Sequence, residues 1–223
     1  MERLVSDKKY VDYIFLVAGK TFSSSFLTSW TETLNYLNKN KFTYKLAIAY
    51  SPIITVTRNT LIGNFPYKFG DNTFSVIPFS GEYTCKKVIF LDDDVYWKPE
   101  DLEILLNSDK EIISGIYLTV DQKTVALIGE DGNRLTLDQL KDKTEPFEVL
   151  AVGLGFFACT LDVLESIEFP WFDTPTQITE DNVGIVGSED VYFCNKARDK
   201  GYKIYADPKL KIGHEKTTML TFE

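Results

Sequence analysis

The sequence predicts an α/β fold, a single domain over residues 1–223 with a mostly parallel central sheet flanked by helices. Three observations carry that expectation. Apolar runs such as Tyr13–Ala18 and Lys87–Leu91 have the composition of strands buried on both faces. Amphipathic stretches with three- and four-residue apolar spacing lie between such runs. No internal repeat, low-complexity tract or linker divides the chain, and nothing marks Glu223 as a natural terminus. Alternation of strand and helix patterns is the signature of a parallel sheet.

The elements follow in order. Tyr13–Ala18 reads as the first strand, and the loop Gly19 to Ser25 follows it. Phe26, Trp30, Leu34 and Leu37 mark the apolar face of a helix. Tyr44–Tyr50 is a second strand, and Thr57 is placed to cap a short helix bearing Arg58, Asn59, Leu61 and Ile62. Lys87–Leu91 is the clearest strand, ending in Asp92-Asp93-Asp94. Pro99, Glu100 and Asp101 then open a helix, because proline suits the first position and acids suit the first turn. Glu111–Tyr117 is a strand, and Glu130-Asp131-Gly132-Asn133 forms a tight turn, as in a hairpin. Glu148–Val152 and Phe156–Cys159 are strands joined by Gly153-Leu154-Gly155. Thr160 or Asp162 caps a helix through Leu164 and Ile167. From Pro170 to Gly187 no apolar period survives, and a long irregular stretch in a compact domain is functional or mobile. Ser188 caps a helix with Val191, Cys194 and Ala197 on its apolar side, closed by Gly201. Tyr202–Ala206 and Leu210–Ile212 are closing strands.

Composition narrows the function. The chain carries 24 Lys and Arg against 33 Asp and Glu, a net charge of −9. A duplex nucleic-acid binder needs dense basic residues to displace counterions, and an anionic membrane needs the same, so neither is an expected partner. No apolar run approaches the ~20 residues of a membrane span, and the first nine residues carry no apolar leader. Cys85, Cys159 and Cys194 have no CxxC spacing, which reads as reduced thiols in a cytoplasmic setting.

Four groups of residues could carry chemistry. Asp92, Asp93 and Asp94 stand beyond the carboxyl end of a buried strand, where open α/β sheets bind ligands. Asp92 and Asp94 point to one side in extended backbone, and Mg²⁺ or Mn²⁺ would relieve the repulsion of the clustered carboxylates; a solvated acidic turn is the other reading. His214, the single histidine, follows a strand and could ligate a transition metal or be an ordinary surface or core residue. Glu189 and Asp190 open a helix, where acids either complement the dipole or accept a proton from a substrate hydroxyl. Gly153 and Gly155 make a turn or let a ligand approach the backbone. Arg58 and Asn59 are helix-surface residues, or contact phosphate or orient an acidic ligand.

This ordered set resembles GT-A-type glycosyltransferases: Arg58-Asn59, Phe90-Leu91-Asp92-Asp93-Asp94-Val95, Gly153-Leu154-Gly155-Phe156, Ser188-Glu189-Asp190-Val191, Gly201, Asp207-Pro208 and Gly213-His214. It is most similar to small glycosyltransferases of large DNA viruses and phages, including capsid-decorating enzymes of chlorella viruses. The resemblance covers roughly Tyr13 to His214. It implies a GT-A-like domain that moves a sugar, with inversion, from a nucleotide-diphosphate donor, UDP above all, to a hydroxyl on a glycan or glycoprotein. It also implies host cytoplasm as the location if the chain is viral. By the same resemblance Asp92 contacts ribose or metal, Asp94 binds the Mn²⁺ or Mg²⁺ bridging the diphosphate, and His214 is a third ligand. Asp93 is the variable middle residue, Asp190 the base beside Glu189, and the loop around Val17, Ala18, Gly19 and Thr21 holds base and ribose. That loop has no diagnostic motif.

Two alternatives differ in class. A phosphatase of the haloacid dehalogenase type also places DxD after a strand, but it has Thr or Val where Tyr96 stands, and its motif opens the domain. A non-catalytic nucleotide-sugar-binding module could keep the whole fold without turnover. An EF-hand is excluded, because Trp97 occupies the position of its turn glycine.

Overall fold

A computed structural model describes residues 8–65, 75–181 and 183–216. Residues 1–7, part of the N-terminal stretch read above as lacking a leader, lie outside it. The first half contains β1 (Lys9–Ala18), α1 (Ser24–Lys39), β2 (Tyr44–Ala49), α2 (Ile54–Gly63), β3 (Tyr83–Asp92), β4 (Val95–Tyr96), α3 (Pro99–Asn107) and β5 (Ile112–Ile116). There follow β6 (Thr124–Ile128), β7 (Arg134–Thr136), α4 (Leu137–Leu140), β8 (Phe147–Val149), β9 (Ala151–Val152), β10 (Phe156–Cys159) and α5 (Leu161–Ser166). The chain continues with β11 (Thr176–Ile178), β12 (Gly184–Val186), α6 (Glu189–Asp199), β13 (Ile204–Lys211) and β14 (Gly213–His214).

The central sheet has seven strands in the order β2-β1-β3-β10-β5-β13-β8. Strands β1, β2, β3, β5 and β13 share one direction, while β10 and β8 oppose it. The sheet is therefore mainly parallel, and the α/β class read from the sequence is the observed one. Alternate side chains of each strand feed opposite cores. Ile14, Leu16, Val88 and Phe90 pack with residues of α2, α5 and α6, whereas Phe15, Val17, Ile89 and Leu91 pack with α1 and α3. Among the described residues no helix is long and apolar enough to cross a membrane.

Several local expectations are corrected. On α1 the fully buried positions are Phe26, Ser29, Thr33 and Leu37, not Trp30 and Leu34. The two hydroxyls face Trp97. Thr33 Oγ1 accepts from the indole N–H at 2.9 Å, and Ser29 Oγ donates to the Trp97 carbonyl at 2.8 Å. A buried indole needs that partner, so polar residues take the inner face. Thr57 lies inside α2 instead of capping it, with its Oγ1 accepting from Ser51 N at 2.8 Å. Neither Thr160 nor Ser188 makes a side-chain cap bond, although each occupies the cap position. Glu148–Val152 is two strands: β8 pairs with β13, and β9 pairs with β6. The two closing strands are one, β13, with a register shift after Ala206. The irregular stretch before α6 contains the exposed hairpin β11–β12. The expected turn at Glu130–Asn133 joins β6 to β7.

Candidate active site

The register of the parallel strands builds the site. Ala18 stands opposite both Ala49 and Asp92, so the carboxyl ends of β1, β2 and β3 finish level. Asp92 is thus delivered to the sheet's ligand-binding edge. The next residues turn back as β4, which pairs with β14, and Val95 faces His214 across this pair. The Glu215 amide donates to the Asp94 carbonyl at 2.7 Å and clamps the two segments together.

The aspartates of the triplet point to different places. Asp92 turns toward Arg58 on α2, whose side chain is only 3% exposed. Arg58 Nη2 lies 3.2 Å from Asp92 Oδ1 and 3.5 Å from Asp190 Oδ1, while its Nε lies 3.4 Å from Glu189 Oε1. One guanidinium therefore gathers three carboxylates, leaving excess negative charge. Burial raises the Asp190 carboxyl to about 8, with Arg58 opposing and Glu189 and Asp92 reinforcing the shift. Burial also raises Asp92, and Arg58 opposes that shift as well. The attraction of the same carboxylates outweighs burial at Arg58 and holds it charged. Arg58 Nη1, Asp92 Oδ1 and Asp190 Oδ1 are buried without a hydrogen-bond partner among the described residues. The two carboxylate oxygens keep their ionic contacts with Arg58 Nη2, while Nη1 is left, among the described residues, with capacity for a further acceptor.

Asp94 faces the other way. Its Oδ2 lies 3.4 Å from His214 Nε2 and 2.5 Å from Lys216 Nζ. His214 Nδ1 lies 2.7 Å from the Leu118 carbonyl oxygen. A carbonyl only accepts, so Nδ1 carries a proton and Nε2 is the atom turned to Asp94. This support of the second ring nitrogen is the arrangement found behind metal-ligating histidines. An oxygen–nitrogen pair fits Mn²⁺ better than Mg²⁺, which takes oxygen ligands, and neighbouring ligands on a cation at ~2.1 Å stand ~3 Å apart. Among the described residues no three His, Cys, Asp or Glu side chains form a ready metal set. Asp94 and His214 would be the ligands, with Asp92 held on Arg58.

The remaining candidates divide. Asp93 is a latch: its Oδ2 accepts from Lys20 N at 3.1 Å, its own amide donates to Ala18 O, and a Cβ on Gly19 would meet Asp93 Cβ at 2.2 Å. Gly19 and Asp93 therefore fix the loop that carries exposed Thr21. Asn59 is engaged structurally, accepting from Trp171 N and Phe172 N and donating to Thr55 O and Phe172 O. Gly153 and Gly155 make room for Tyr117. A Cβ at Gly153 would sit 2.1 Å from its hydroxyl oxygen, and the Gly155 amide donates to that oxygen at 3.1 Å.

Tyr117, Leu118 and Lys216 escaped the sequence reading. Tyr117 lies just beyond β5, and its ring stands 4.9 Å from that of His214. The rule that singled out Asp92, position beyond a strand's carboxyl end, applies to it equally.

No protein-family model matches the chain, and no curated protein matches it. Solved structures do. A197 from STIV superposes with a TM-score of 0.50 at 17% identity, over 95% of this chain and 98% of that one. The catalytic domain of Drosophila beta1,4-galactosyltransferase 7, in complex with xylobiose, gives 0.49 at 13% identity, over 93% and 71% of the two chains. GalNAc-T7 with UDP, GalNAc and Mn²⁺ gives 0.46 at 15% identity, over 93% of this chain and 44% of that one. This chain thus spans less than half of GalNAc-T7. At 17% identity the likeness to A197 is one of fold.

Proposed function

We propose that the chain is a metal-dependent glycosyltransferase that moves a sugar from a nucleotide-diphosphate donor, UDP-linked, to an acceptor hydroxyl with inversion. The observation that carries this reading is the cluster of Asp92, Glu189 and Asp190 around buried Arg58, beside the Asp94–His214 pair. The order of motifs, like that of small viral and phage glycosyltransferases, adds to it. One domain carries the activity, and a glycan or glycoprotein is the acceptor.

The loop at Ala18, Gly19 and Thr21 receives the base and ribose at the level end of β1 and β2. A divalent cation held by Asp94 and His214, when bound, neutralises the donor's diphosphate. Arg58 holds Asp92, Glu189 and Asp190 in fixed positions, and burial, reinforced by the charges of Glu189 and Asp92, keeps Asp190 basic. The acceptor oxygen bonds to the anomeric carbon as the bond from that carbon to the diphosphate oxygen breaks. The acceptor proton passes to Asp190, and the nucleoside diphosphate leaves.

The test is turnover of UDP-sugars with and without Mn²⁺, run in parallel on Asp190→Asn. Turnover should require the cation. Asp190→Asn should lose about 10²–10⁴-fold in kcat with UDP affinity nearly unchanged. Full turnover in chelator, a retained anomeric configuration, or donor binding with no turnover would each overturn the proposal, the last in favour of a binding module.

A further inference from the structure

A concavity borders the candidate site at Tyr117 and Leu118. Its volume is about 590 Å³, within the range of small-molecule sites, and Ile116, Val125, Leu137 and Leu140 give it an apolar interior. Among the described residues that line it, the charged ones are all lysines: Lys141, Lys143 and Lys211. In a chain of net charge −9 that concentration runs against the average. Among the described residues only part of it is neutralised locally. Lys141 pairs with Asp138 at 2.6 Å, and Lys143 lies over the Phe147 ring at 5.0 Å.

Tyr117 divides this space from the carboxylates. Its ring lines the cavity, while its hydroxyl oxygen accepts from Gly155 N beside Asp92. We propose that the cavity binds an amphipathic anion, a molecule with an apolar body ending in a phosphate or carboxylate. The apolar interior removes the body from water, and the lysines meet the charged end. The proposal does not rest on glycosyl transfer, because none of its residues holds the donor or the base. An occupant would nevertheless touch Tyr117 and Leu118, the two residues that pack against and hold His214.

The experiment is calorimetry on the intact chain with octyl phosphate below its aggregation concentration, with octanol and inorganic phosphate in separate arms. Octyl phosphate should bind, and each half alone should bind at least about tenfold more weakly. The three lysines are exposed, so the triple variant Lys141→Glu, Lys143→Glu, Lys211→Glu leaves the fold intact. It should weaken octyl phosphate by about tenfold or more. Leu137→Glu, at a half-exposed lining position, should weaken it too. Equal binding of octanol, or an unchanged affinity in the triple variant, would overturn the site. Sedimentation with phosphatidic acid vesicles that the triple variant loses assigns the anion to a membrane lipid. Octyl phosphate binding without sedimentation assigns it to a dispersed molecule, and both results uphold the cavity.

Discussion

His214 reports directly on its pairing with Asp94, because a chain with one histidine gives one imidazole signal. The hydrogen bond with Asp94 raises its pKa above the ordinary 6.5, burial opposes the rise, and the Leu118 carbonyl adds to it. A histidine whose folded pKa is raised contributes stability that is complete below about 6.5. That stability is lost as pH rises through the folded value. Proton NMR of the metal-free protein should therefore show a midpoint above 6.5, and Asp94→Asn should bring it down. A wild-type midpoint at or below 6.5 would mean that the two side chains are apart. The raised pKa also sets a competition, since protonated Nε2 cannot ligate a cation. Lys216 adds to that competition by placing a second positive charge on Asp94 Oδ2.

At the scale of elements, α1 is tied to Trp97 by two buried hydroxyls beside the apolar packing of Phe26 and Leu37. Thr33→Val removes the acceptor of the indole N–H while keeping the shape of the side chain. The buried donor is then unpartnered, which should cost about 1–3 kcal/mol in urea unfolding, and Thr33→Ser should recover most of it. Equal stability of Thr33→Val and wild type would show that the bond contributes nothing. The same helix shows what can be read without coordinates. Its existence follows from Phe26 and Leu37 at helical spacing. Its buried hydroxyls do not, because they answer a tryptophan 64 residues further on. Strands β1, β3, β5 and β10 were equally readable, as continuous apolar runs report burial on both faces. The β11–β12 hairpin was not. Its Ile178, Ile185 and Val186 are exposed, so no buried face imposes an alternating pattern. The site divides in the same way. Arg58 gathers Asp92, Glu189 and Asp190, and Asp94 meets His214 in a separate pair, whereas Asp93, Asn59, Gly153 and Gly155 make contacts within the scaffold. Which carboxylate meets Arg58 depends on strand register, and composition does not encode it.

For the whole molecule, alkaline pH separates two buried populations. Lys87, 5% exposed between the Leu105 and Lys110 carbonyls, has its pKa lowered by burial to about 8. The unfolded chain holds that proton to about 10.5, so between these values the unfolded state binds more protons and stability rises with pH. Burial moves Cys85 and Cys194 the other way, to about 12. Unfolded thiols ionise near 9, and above that pH they lower stability. Asp190, raised to about 8, titrates at the lower end of the same window with the opposite sign, but it is common to wild type and a Lys87 variant, so their difference isolates the lysine. Lys87→Met should be more stable than wild type at pH 7.5, with the difference narrowing by pH 9. Denaturant unfolding at both values checks this, and a constant difference would show that Lys87 keeps an ordinary pKa.

The β4–β14 pair has a consequence for the order of assembly. Asp94 and Lys216 are separated by 122 residues, and His214 reaches the aspartate because β14 pairs with β4. Loop-closure entropy makes so distant a contact late in folding, and during synthesis the ribosome releases Asp94 long before its partners exist. The nascent chain therefore carries an acidic triplet that lacks its imidazole until nearly the whole sheet has formed. The Asp94–His214 pair thus forms only once β14 has been made and has docked, and a chain cut before β14 lacks it.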